Sequence, residues 1–273
     1  MIGKISIFAA DIDGTLVDKG KAMHEETRKA LIRLHEDGVR IGVATGRPLD
    51  HRTVEKSMEW NLPFAFDFAI GMNGGDLWTK ETDVYEHFFL LKKELTREIL
   101  TFLAPLDINA IVYEKGYDQV CALRMDDFMQ SSIARNHSNV IIGDIERLSR
   151  YDTGKIEVRY RPEIEEEVMA VVNEHRSDAW DAVRTFRGTV EFMDPRVNKG
   201  WALREYARRQ NIPMEETIAF GDMENDIPLL QAAGWGVCLS DGSDACRAAA
   251  DALTDYPVAE GGVGRYLQDY CFR

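Results

Sequence analysis

Cysteine, positive charge and long hydrophobic runs are all scarce in this sequence of 273 residues. Lysine and arginine number 33 against 47 aspartates and glutamates, a formal net charge of −14 at pH 7. Because nucleic acids and anionic membranes attract clustered basic residues, this balance argues against either as a partner. The few cysteines lack the paired spacing of a metal site and indicate free thiols of a reducing cytoplasm; they are Cys121, Cys238, Cys246 and Cys271.

The apolar runs are too short to cross a membrane. Residues 5–10, among the longest of them, fall far below the roughly 20 residues that a spanning helix needs. This run leads directly into Asp11 and Asp13, so we expect no secretory signal peptide at residues 1–10. These features predict a soluble, acidic, cytoplasmic protein.

Several cofactor and metal motifs are absent from the sequence. It contains neither Gly-x-Gly-x-x-Gly nor a Gly-Lys-Ser/Thr phosphate loop, which disfavours a dinucleotide oxidoreductase and a P-loop nucleotidase. The pairs His24-Glu25 and His35-Glu36 lack the second histidine of a zinc protease and are typical of a helix surface.

Short apolar runs alternate with helical patterns at both ends of the chain. Continuous apolar strands separated by helices indicate a parallel sheet that is covered on both faces. The pattern therefore predicts an α/β fold with a doubly wound, Rossmann-like core. The expected strands are 5–10, 39–44, 67–72, 217–220 and 236–239, and the expected helices are 24–37, 48–60, 198–210 and 226–233, with two more helices around a short strand over 244–270.

The middle of the chain has a different pattern. Runs at 77–78 and 84–89 suggest a hairpin or a connector, and beyond them amphipathic helices mix with alternating strands. We therefore expect a catalytic core made of residues 1–82 and 196–273. An α+β domain over residues 83–195 interrupts it and is expected to set substrate specificity.

Four short polar segments mark the ends or beginnings of the expected core elements. Three of them follow strands, and the one at 198–200 begins a helix. Ligands of open parallel sheets bind beyond the carboxyl ends of the strands, so these segments are expected to meet in one crevice. In chain order they are Asp11-Ile-Asp-Gly-Thr, Thr45-Gly-Arg, Asn198-Lys-Gly and Gly221-Asp-Met-Glu-Asn-Asp.

The aspartates of these segments indicate a metal site. Asp11, Asp13, Asp222 and Asp226 would bring several carboxylates into one crevice, where like charges repel. A hard divalent cation relieves this repulsion, and oxygen ligands suit Mg²⁺.

The same crevice suits a phosphate group. Lys199 supplies a compact positive charge, and the hydroxyl of Thr45 lies beside backbone N–H groups. Asp11 can then attack the phosphorus as a nucleophile, and water later hydrolyses the resulting aspartyl-phosphate. Asp13 can protonate the ester oxygen and afterwards activate the water. Gly14 allows the sharp turn that both roles require.

Each segment alone has a simpler explanation. Asp-x-Asp-Gly is a common turn sequence, Lys199 could be an exposed lysine at a helix start, and Asp222 with Asp226 could cap a helix. An EF-hand is excluded because Gly20 occupies the position of its bidentate glutamate. The catalytic interpretation depends on all four segments occurring in order around an insertion.

On these motifs the chain resembles the haloacid dehalogenase-like phosphatases, and within them the Cof-type subfamily with a C2B-type cap. The resemblance covers nearly the whole chain. It implies an Mg²⁺-dependent phosphomonoesterase that acts on small phosphorylated metabolites, often sugar phosphates. The matching motifs are 11–16, 44–47, 199–200 and 221–226, and the Cof-type features are Asn73-Gly74 and residues 260–263.

The resemblance also implies a role for each matched residue. Asp11 is the expected nucleophile and Asp13 the expected acid and base. The carboxylates of Asp11 and Asp222, with the backbone carbonyl of Asp13, are the expected Mg²⁺ ligands. The remaining matched residues are Thr45, Gly46 and Lys199 as phosphate binders, and Asn225, Asp226, Arg47 and Asn73 as supports of the site.

One segment departs from the family pattern. Residues 239–242 read Leu-Ser-Asp-Gly, where Cof-type chains usually carry Met-Gly-Asn-Ala. Asp241 therefore replaces the expected asparagine, and we assign it no role.

Two other functions stay open at this point. A phosphomutase would pass the phosphoryl group from Asp11 to a second sugar hydroxyl, and a non-catalytic protein of the same fold would only bind a metabolite. The expected partner is in every case a small phosphorylated metabolite. The sequence does not distinguish a monomer from a homodimer. On an expected cap strand, Arg159 and Arg161 either face the substrate or belong to a polar outer face.

Overall fold

The apolar run that precedes Asp11 forms a fully buried strand, β1 (Ile7–Ala10). The computed structural model describes residues 3–18 and 21–272. Residues 1 and 2, which begin the segment where no signal peptide is expected, lie outside the described residues. Gly20, which occupies the position of the EF-hand glutamate, lies outside them as well. The chain divides into two units, Met1–Glu86 with Asn198–Arg273, and His87–Val197.

The first unit is built on an eight-stranded sheet with the order β14-β13-β12-β1-β2-β3-β4-β5. The six strands from β14 to β3 are parallel, and β4 is antiparallel to β3. The strands are β1, β2 (Arg40–Ala44), β3 (Phe68–Gly71), β4 (Asp76–Thr79), β5 (Val84–His87), β12 (Thr217–Gly221), β13 (Trp235–Cys238) and β14 (Ala252–Leu253). The expected hairpin at 77–89 is thus an extension of the core sheet.

Helices cover both faces of this sheet. On one face, Leu31 and Leu267 pack with Phe8 in the main core cluster. On the other, Tyr206 stacks on Phe68, with 4.0 Å between the ring centroids. The helices are α1 (Glu25–Glu36), α2 (His51–Val54), α3 (Lys56–Glu59), α8 (Lys199–Arg209), α9 (Ile227–Ala232), α10 (Asp244–Ala249) and α11 (Gly262–Tyr270). This arrangement confirms the predicted doubly wound α/β core.

The predicted helix over 48–60 is wrong as a single element. The structure has two single-turn helices, α2 and α3, with Glu55 between them at φ −82° and ψ 0°. Asp50 caps α2 by accepting the N–H of Arg52 over 2.9 Å, so the first turn begins after Pro48 rather than at it. The β-branched residues Thr53 and Val54 precede the break and are weak helix formers.

The second unit has its own six-stranded sheet, with the order β10-β11-β9-β6-β7-β8. All its neighbours pair antiparallel except β7 and β8. The strands are β6 (Ile108–Lys115), β7 (Gln119–Ala122), β8 (Asn139–Ile142), β9 (Ile156–Tyr160), β10 (Asp181–Phe186) and β11 (Thr189–Met193). The helices are α4 (Lys93–Leu103), α5 (Asp127–Asn136), α6 (Ile145–Leu148) and α7 (Glu165–Glu174).

The strands of this second sheet alternate between an apolar and a charged face. Val158 and Phe192 join the helices in an apolar core. On the opposite face, Glu157 of β9 lies in register with Glu191 of β11. The Nζ of Lys155 lies 2.6 Å from Oε1 of Glu191, and all three of these charged residues are buried. The charged face is therefore neutralised in part by pairing within the unit.

The two arginines singled out on β9 and just after it have different surroundings. Nε of Arg159 donates to Oε1 of Glu157 over 2.5 Å, and the guanidinium lies over the ring of Phe128. Arg161, in contrast, has a side chain that is 73% exposed.

The unit boundaries lie at 86/87 and 197/198, a few residues beyond the expected 82/83 and 195/196. No helix among the described residues is long and apolar enough to cross a membrane.

Candidate active site

Parallel pairing places the ends of β1, β2 and β12 at one edge of the core sheet. Ala10 is in register with Phe220, and the N–H of Asp11 donates to the carbonyl of Phe220 over 3.0 Å. On the other side Ala10 is in register with Val43, so Thr45 follows within two residues. Segments from both ends of the chain therefore meet where strands of an open parallel sheet end.

Lys199 is the buried cation of this edge. Asn198 caps α8 by accepting the N–H of Trp201 over 2.8 Å, which places Lys199 in the first turn. Its Nζ lies 2.6 Å from Oδ1 of Asp11 and 2.5 Å from Oδ1 of Asp226. Burial alone would lower the pKa of Lys199, but the two carboxylates outweigh it and raise the pKa above its ordinary value. The ammonium therefore stays charged.

Asp226 is bound through both of its carboxylate oxygens. Oδ1 contacts Lys199, while Oδ2 accepts the backbone N–H groups of Asp222 and Met223 over 3.0 and 3.1 Å. Gly221 leaves the necessary room, since a Cβ there would lie 2.4 Å from the Cβ of Asp226. Asp226 thereby fixes the backbone that carries Asp222, which fits a supporting role.

Asp222 reaches from the end of β12 to the turn that follows β1. Its Oδ1 accepts the hydroxyl of Thr15 over 2.7 Å. A Cβ at Gly14 would lie 2.4 Å from Oδ2 of Asp222, and Gly14 has a φ of +98°. Glycine is needed at this position both for the backbone conformation and for the close approach of the carboxylate.

Asp11, Asp222 and Asp226 form a buried acid cluster, in which one carboxylate oxygen of each lies within 4.8 Å of the others. Burial raises the pKa of Asp11 to about 8, against the lowering effect of Lys199 and with the help of the other two acids. Burial and then Asp226 raise the pKa of Asp222 to about 6. A cation would stabilise these carboxylates, and the all-oxygen donor set fits Mg²⁺.

The carboxylate of Asp13 contacts a different cation from the carboxylate of Asp11. The guanidinium of Arg47 donates from Nε to Oδ2 of Asp13 over 2.8 Å and from Nη2 to Oδ1 over 2.6 Å. The two side chains are 37% and 25% exposed, so this pair lies at the open side of the site. Arg47 and Asp13 thus form a two-point ion pair next to the buried pair of Lys199 and Asp11.

Thr45, Gly46, Asn73 and Asn225 form a connected polar group. The N–H of Asn73 donates to the carbonyl of Thr45, and Nδ2 of Asn225 donates to Oδ1 of Asn73, each over 3.1 Å. A Cβ at Gly46 would lie 2.9 Å from that same oxygen of Asn73. Asn73 has a φ of +56°, which asparagine adopts more readily than most residues. The loops after β2, β3 and β12 are therefore tied together.

Comparison with known proteins assigns the chain to a family. The model of the haloacid dehalogenase-like hydrolase family matches residues 8–267. This chain is a haloacid dehalogenase-like hydrolase. The family predicted from the four motifs is thereby confirmed.

Relatives of the hydrolase include enzymes with named substrates. The 5-amino-6-(5-phospho-D-ribitylamino)uracil phosphatase YitU of Bacillus subtilis is 25% identical over 272 residues, 97% of each chain. A haloacid dehalogenase-like hydrolase of Bacteroides thetaiotaomicron has a TM-score of 0.82 at 22% identity, over 97% of this chain and 99% of its own. The subclass IIB sugar phosphatase BT4131 has a TM-score of 0.81 at 25% identity, over 97% and 98%.

Every residue predicted for the site lies in the first unit of the hydrolase, but sequence interpretation missed a contact of Thr15. Thr15 belongs to the first motif, yet its hydrogen bond to Asp222 joins residues 207 positions apart. The only signal available in the sequence was a hydroxyl two residues after Asp13.

Asp241 of the hydrolase, the departure from the family pattern, has a local partner. Its Oδ1 accepts the N–H of Val258 over 3.3 Å, which ties the loop after β13 to the turn Val258–Glu260. Its negative charge also adds a little to the raised pKa of Asp222.

Proposed function

We propose that this hydrolase is an Mg²⁺-dependent phosphatase that cleaves small phosphate monoesters through an aspartyl-phosphate on Asp11. The observation that carries the proposal is the buried contact of Lys199 with Asp11, which is itself a member of the acid cluster. A carboxylate, a buried cation and an all-oxygen donor set at the edge where the strands of such sheets end support this chemistry.

The donor set fits the metal that the family implies. Asp11 and Asp222 would hold Mg²⁺ together with the backbone carbonyl of Asp13, whereas both oxygens of Asp226 are engaged by Lys199 and by backbone N–H groups. When bound, Mg²⁺ supplies positive charge that neutralises phosphate oxygens and keeps the acids ionised.

The first chemical step belongs to Asp11 and Asp13. A carboxylate oxygen of Asp11 attacks the phosphorus, and the bond from phosphorus to the ester oxygen breaks. Asp13 gives its proton to the departing oxygen. Lys199 stabilises the charge that collects on the phosphoryl oxygens, and the Thr45 hydroxyl with the N–H groups of its loop orients the group.

The second step releases phosphate. Asp13, now ionised, accepts a proton from water, and the water oxygen attacks the phosphorus of the aspartyl-phosphate. The bond between phosphorus and the Asp11 oxygen breaks, which restores the carboxylate and yields inorganic phosphate. A phosphomutase would replace this water with a second sugar hydroxyl.

The substrate class is proposed from the relatives. A sugar phosphatase and a phosphatase of a ribityl phosphate ester both match over nearly the whole chain. We therefore place the substrate among phosphorylated sugars and related polyols. This proposal includes three further expectations. Residues 83–195 select the substrate, residues 1–82 and 196–273 carry out catalysis, and the protein is cytoplasmic.

The direct test is a screen of phosphorylated metabolites with Mg²⁺, reading released phosphate. We expect turnover of at least one sugar or polyol phosphate, its loss in EDTA, and a fall of about 10³-fold or more in Asp11→Asn. The matched control is Asp269→Asn, an exposed aspartate of α11, which should keep full activity.

Three outcomes would contradict the proposal. Turnover that survives Asp11→Asn would remove Asp11 as nucleophile. An isomerised sugar phosphate without phosphate release would indicate a mutase. No turnover across sugars, nucleotides and cofactor precursors would favour a metabolite-binding protein.

A further inference from the structure

The guanidinium of Arg47 binds the carboxylate of Asp13 at two points. Two nitrogens of one guanidinium meet the two oxygens of one carboxylate, at 2.8 and 2.6 Å. Such a two-point contact fixes the plane of the carboxylate as well as its position, which a lysine ammonium cannot do.

The backbone of Arg47 is itself held in place. Its N–H donates to Oγ1 of Thr45 over 3.2 Å, and its carbonyl accepts the N–H of Met72 over 2.8 Å. Thr45 is buried, and its own N–H donates to the carbonyl of Ile70 over 2.8 Å. The arginine therefore projects from a backbone segment, just after β2, that is hydrogen-bonded through both its N–H and its carbonyl.

Fold stability does not account for this pair. Both side chains are partly exposed, and ion pairs in such places contribute little to the free energy of unfolding. Fixing a long arginine side chain also costs rotamer entropy. An effect on the orientation of Asp13 is a better account of the contact.

Asp13 differs from the other aspartates of this edge in the cation that contacts it. Among the described residues, the buried acid cluster comprises Asp11, Asp222 and Asp226, and Asp13 stands apart from it. Lys199 contacts Asp11 and Asp226, whereas the cation on Asp13 is Arg47. The two cations thus serve different carboxylates.

We propose that Arg47 is a positioning residue that holds the Asp13 carboxyl group for proton transfer, rather than a residue that binds the substrate phosphate. This inference rests on the proposed phosphatase function. Asp13 enters the first step protonated, gives its proton to the departing ester oxygen as the phosphorus–oxygen bond breaks, and leaves the step as the carboxylate that Arg47 contacts at two points. A misplaced Asp13 slows this step in proportion to how much the leaving oxygen needs that proton.

The leaving group therefore provides the test. An alkyl leaving group, as in a sugar phosphate, departs as an unstable alkoxide unless it is protonated. A nitrophenyl group departs as a stable phenolate without a proton. Arg47→Lys should lower kcat for a sugar phosphate by about 10-fold or more, part of the 10²–10⁴-fold that acid catalysis supplies. With p-nitrophenyl phosphate we expect less than about a 3-fold loss, and KM should change little for either ester.

A double variant isolates the route through Asp13. If Arg47 acts by positioning Asp13, then Arg47→Lys should have almost no further effect on sugar phosphate turnover in an Asp13→Asn background. The matched control is Arg28→Lys on α1, because Arg28 makes the same two-point contact with Glu25, at 2.9 and 2.8 Å, away from the site. This control should leave both activities unchanged.

Three results would overturn the inference. A KM that rises equally for both esters would make Arg47 a phosphate binder. Equal losses of kcat for both esters would indicate a structural defect, and so would a full additional loss in the Asp13→Asn background. Absence of turnover by the unaltered protein would instead contradict the proposed function, so the two failures are distinguishable.

Discussion

Two aspartates separated by a single residue have different environments in this protein. Asp11 is buried against Lys199, while Asp13 is partly exposed and bound by Arg47. Asp11 directly follows β1 and contacts the buried Lys199, whereas Asp13 lies two residues further on and contacts Arg47 in the segment after β2. Environment, rather than residue type, divides the proposed roles of nucleophile and acid between them.

Gly14 offers a test of the acid cluster. In Gly14→Ala the new Cβ would lie 2.4 Å from Oδ2 of Asp222, so the carboxylate must move. We expect Mg²⁺ affinity, measured by calorimetric titration, to fall about 10- to 100-fold, the range in which groups around metal ligands act.

The matched control for Gly14 is Gly38→Ala. Gly38 also has a positive φ, of +79°, but nothing lies within 4 Å of its new Cβ. This variant should lose some stability from backbone strain and keep its Mg²⁺ affinity. Equal affinity in both variants would show that the position of Asp222 does not govern the metal.

The raised pKa values of Asp11 and Asp222 predict a pH-dependent effect of Mg²⁺. Without metal, each folded-state pKa, about 8 and about 6, lies above the unfolded value. The contribution of these two carboxyl groups to the free energy of unfolding is fully present below their pKa in the unfolded chain. It is lost as the pH rises through their pKa in the folded protein. Bound Mg²⁺ compensates for the lost protons.

Thermal unfolding measures this effect. In EDTA the melting temperature should fall between about pH 5 and about pH 8, and the increase caused by Mg²⁺ should grow over the same interval. Asp222→Asn should remove most of the increase. An Mg²⁺ effect that is the same at both pH values would show that the metal does not bind at these acids.

At the scale of elements, the packing of two helices places the buried lysine. A Cβ at Gly200 would lie 2.1 Å from the carbonyl oxygen of Pro228, so the start of α8 packs directly against the start of α9. This close approach brings Lys199 to Asp226, which immediately precedes α9. Gly200 therefore allows the close helix packing that positions Lys199.

The charged face of the second sheet gives an element-scale prediction. Lys155 and Glu191 are only 4% and 7% exposed. Glu191→Gln removes one carboxylate from the surroundings of the buried Lys155 ammonium. Breaking a buried ion pair in this way lowers the free energy of unfolding by about 3 kcal/mol. Urea unfolding of the variant should show this loss.

The control for Glu191 lies in the same unit. Glu165 pairs with Arg184, whose side chain is 62% exposed, and Glu165→Gln should therefore change the unfolding free energy little. Equal effects in the two variants would mean that burial of the charged face does not strengthen its ion pairs.

The core sheet could be predicted from the sequence, because continuous apolar strands separated by helices indicated it. The aspartates of the first and fourth motifs indicated the edge at which Asp11, Asp222 and Asp226 come together, while their catalytic and metal-binding roles stay predictions. Sequence reasoning failed for the helix expected over 48–60, because the cap at Asp50 and the break at Glu55 depend on local backbone geometry.

Side-chain pairing was the other feature that sequence alone did not reveal. The spacing of Arg47 and Asp13 contains no sign of their two-point contact, and a lysine at a helix start is usually exposed, unlike Lys199. Such pairings depend on how the loops fold against one another in three dimensions.

At the scale of the whole molecule, the two ends of the chain share one sheet. β1 lies between β2 and β12, so residues more than 200 positions apart form adjacent strands. The segment His87–Val197 begins at the last residue of β5 and ends just before α8, and it does not interrupt this order. The insertion point therefore leaves the strands that carry the acids adjacent.

The most direct measurement is chemical capture of the phosphoryl group. The protein is mixed with Mg²⁺ and a sugar phosphate that it hydrolyses, quenched within one turnover and reduced with borohydride, which converts an aspartyl-phosphate to homoserine. Peptide mass spectrometry should find homoserine at position 11, and Asp11→Asn should yield none. Phosphate release without any modified residue, or modification at a residue other than Asp11, would contradict the account.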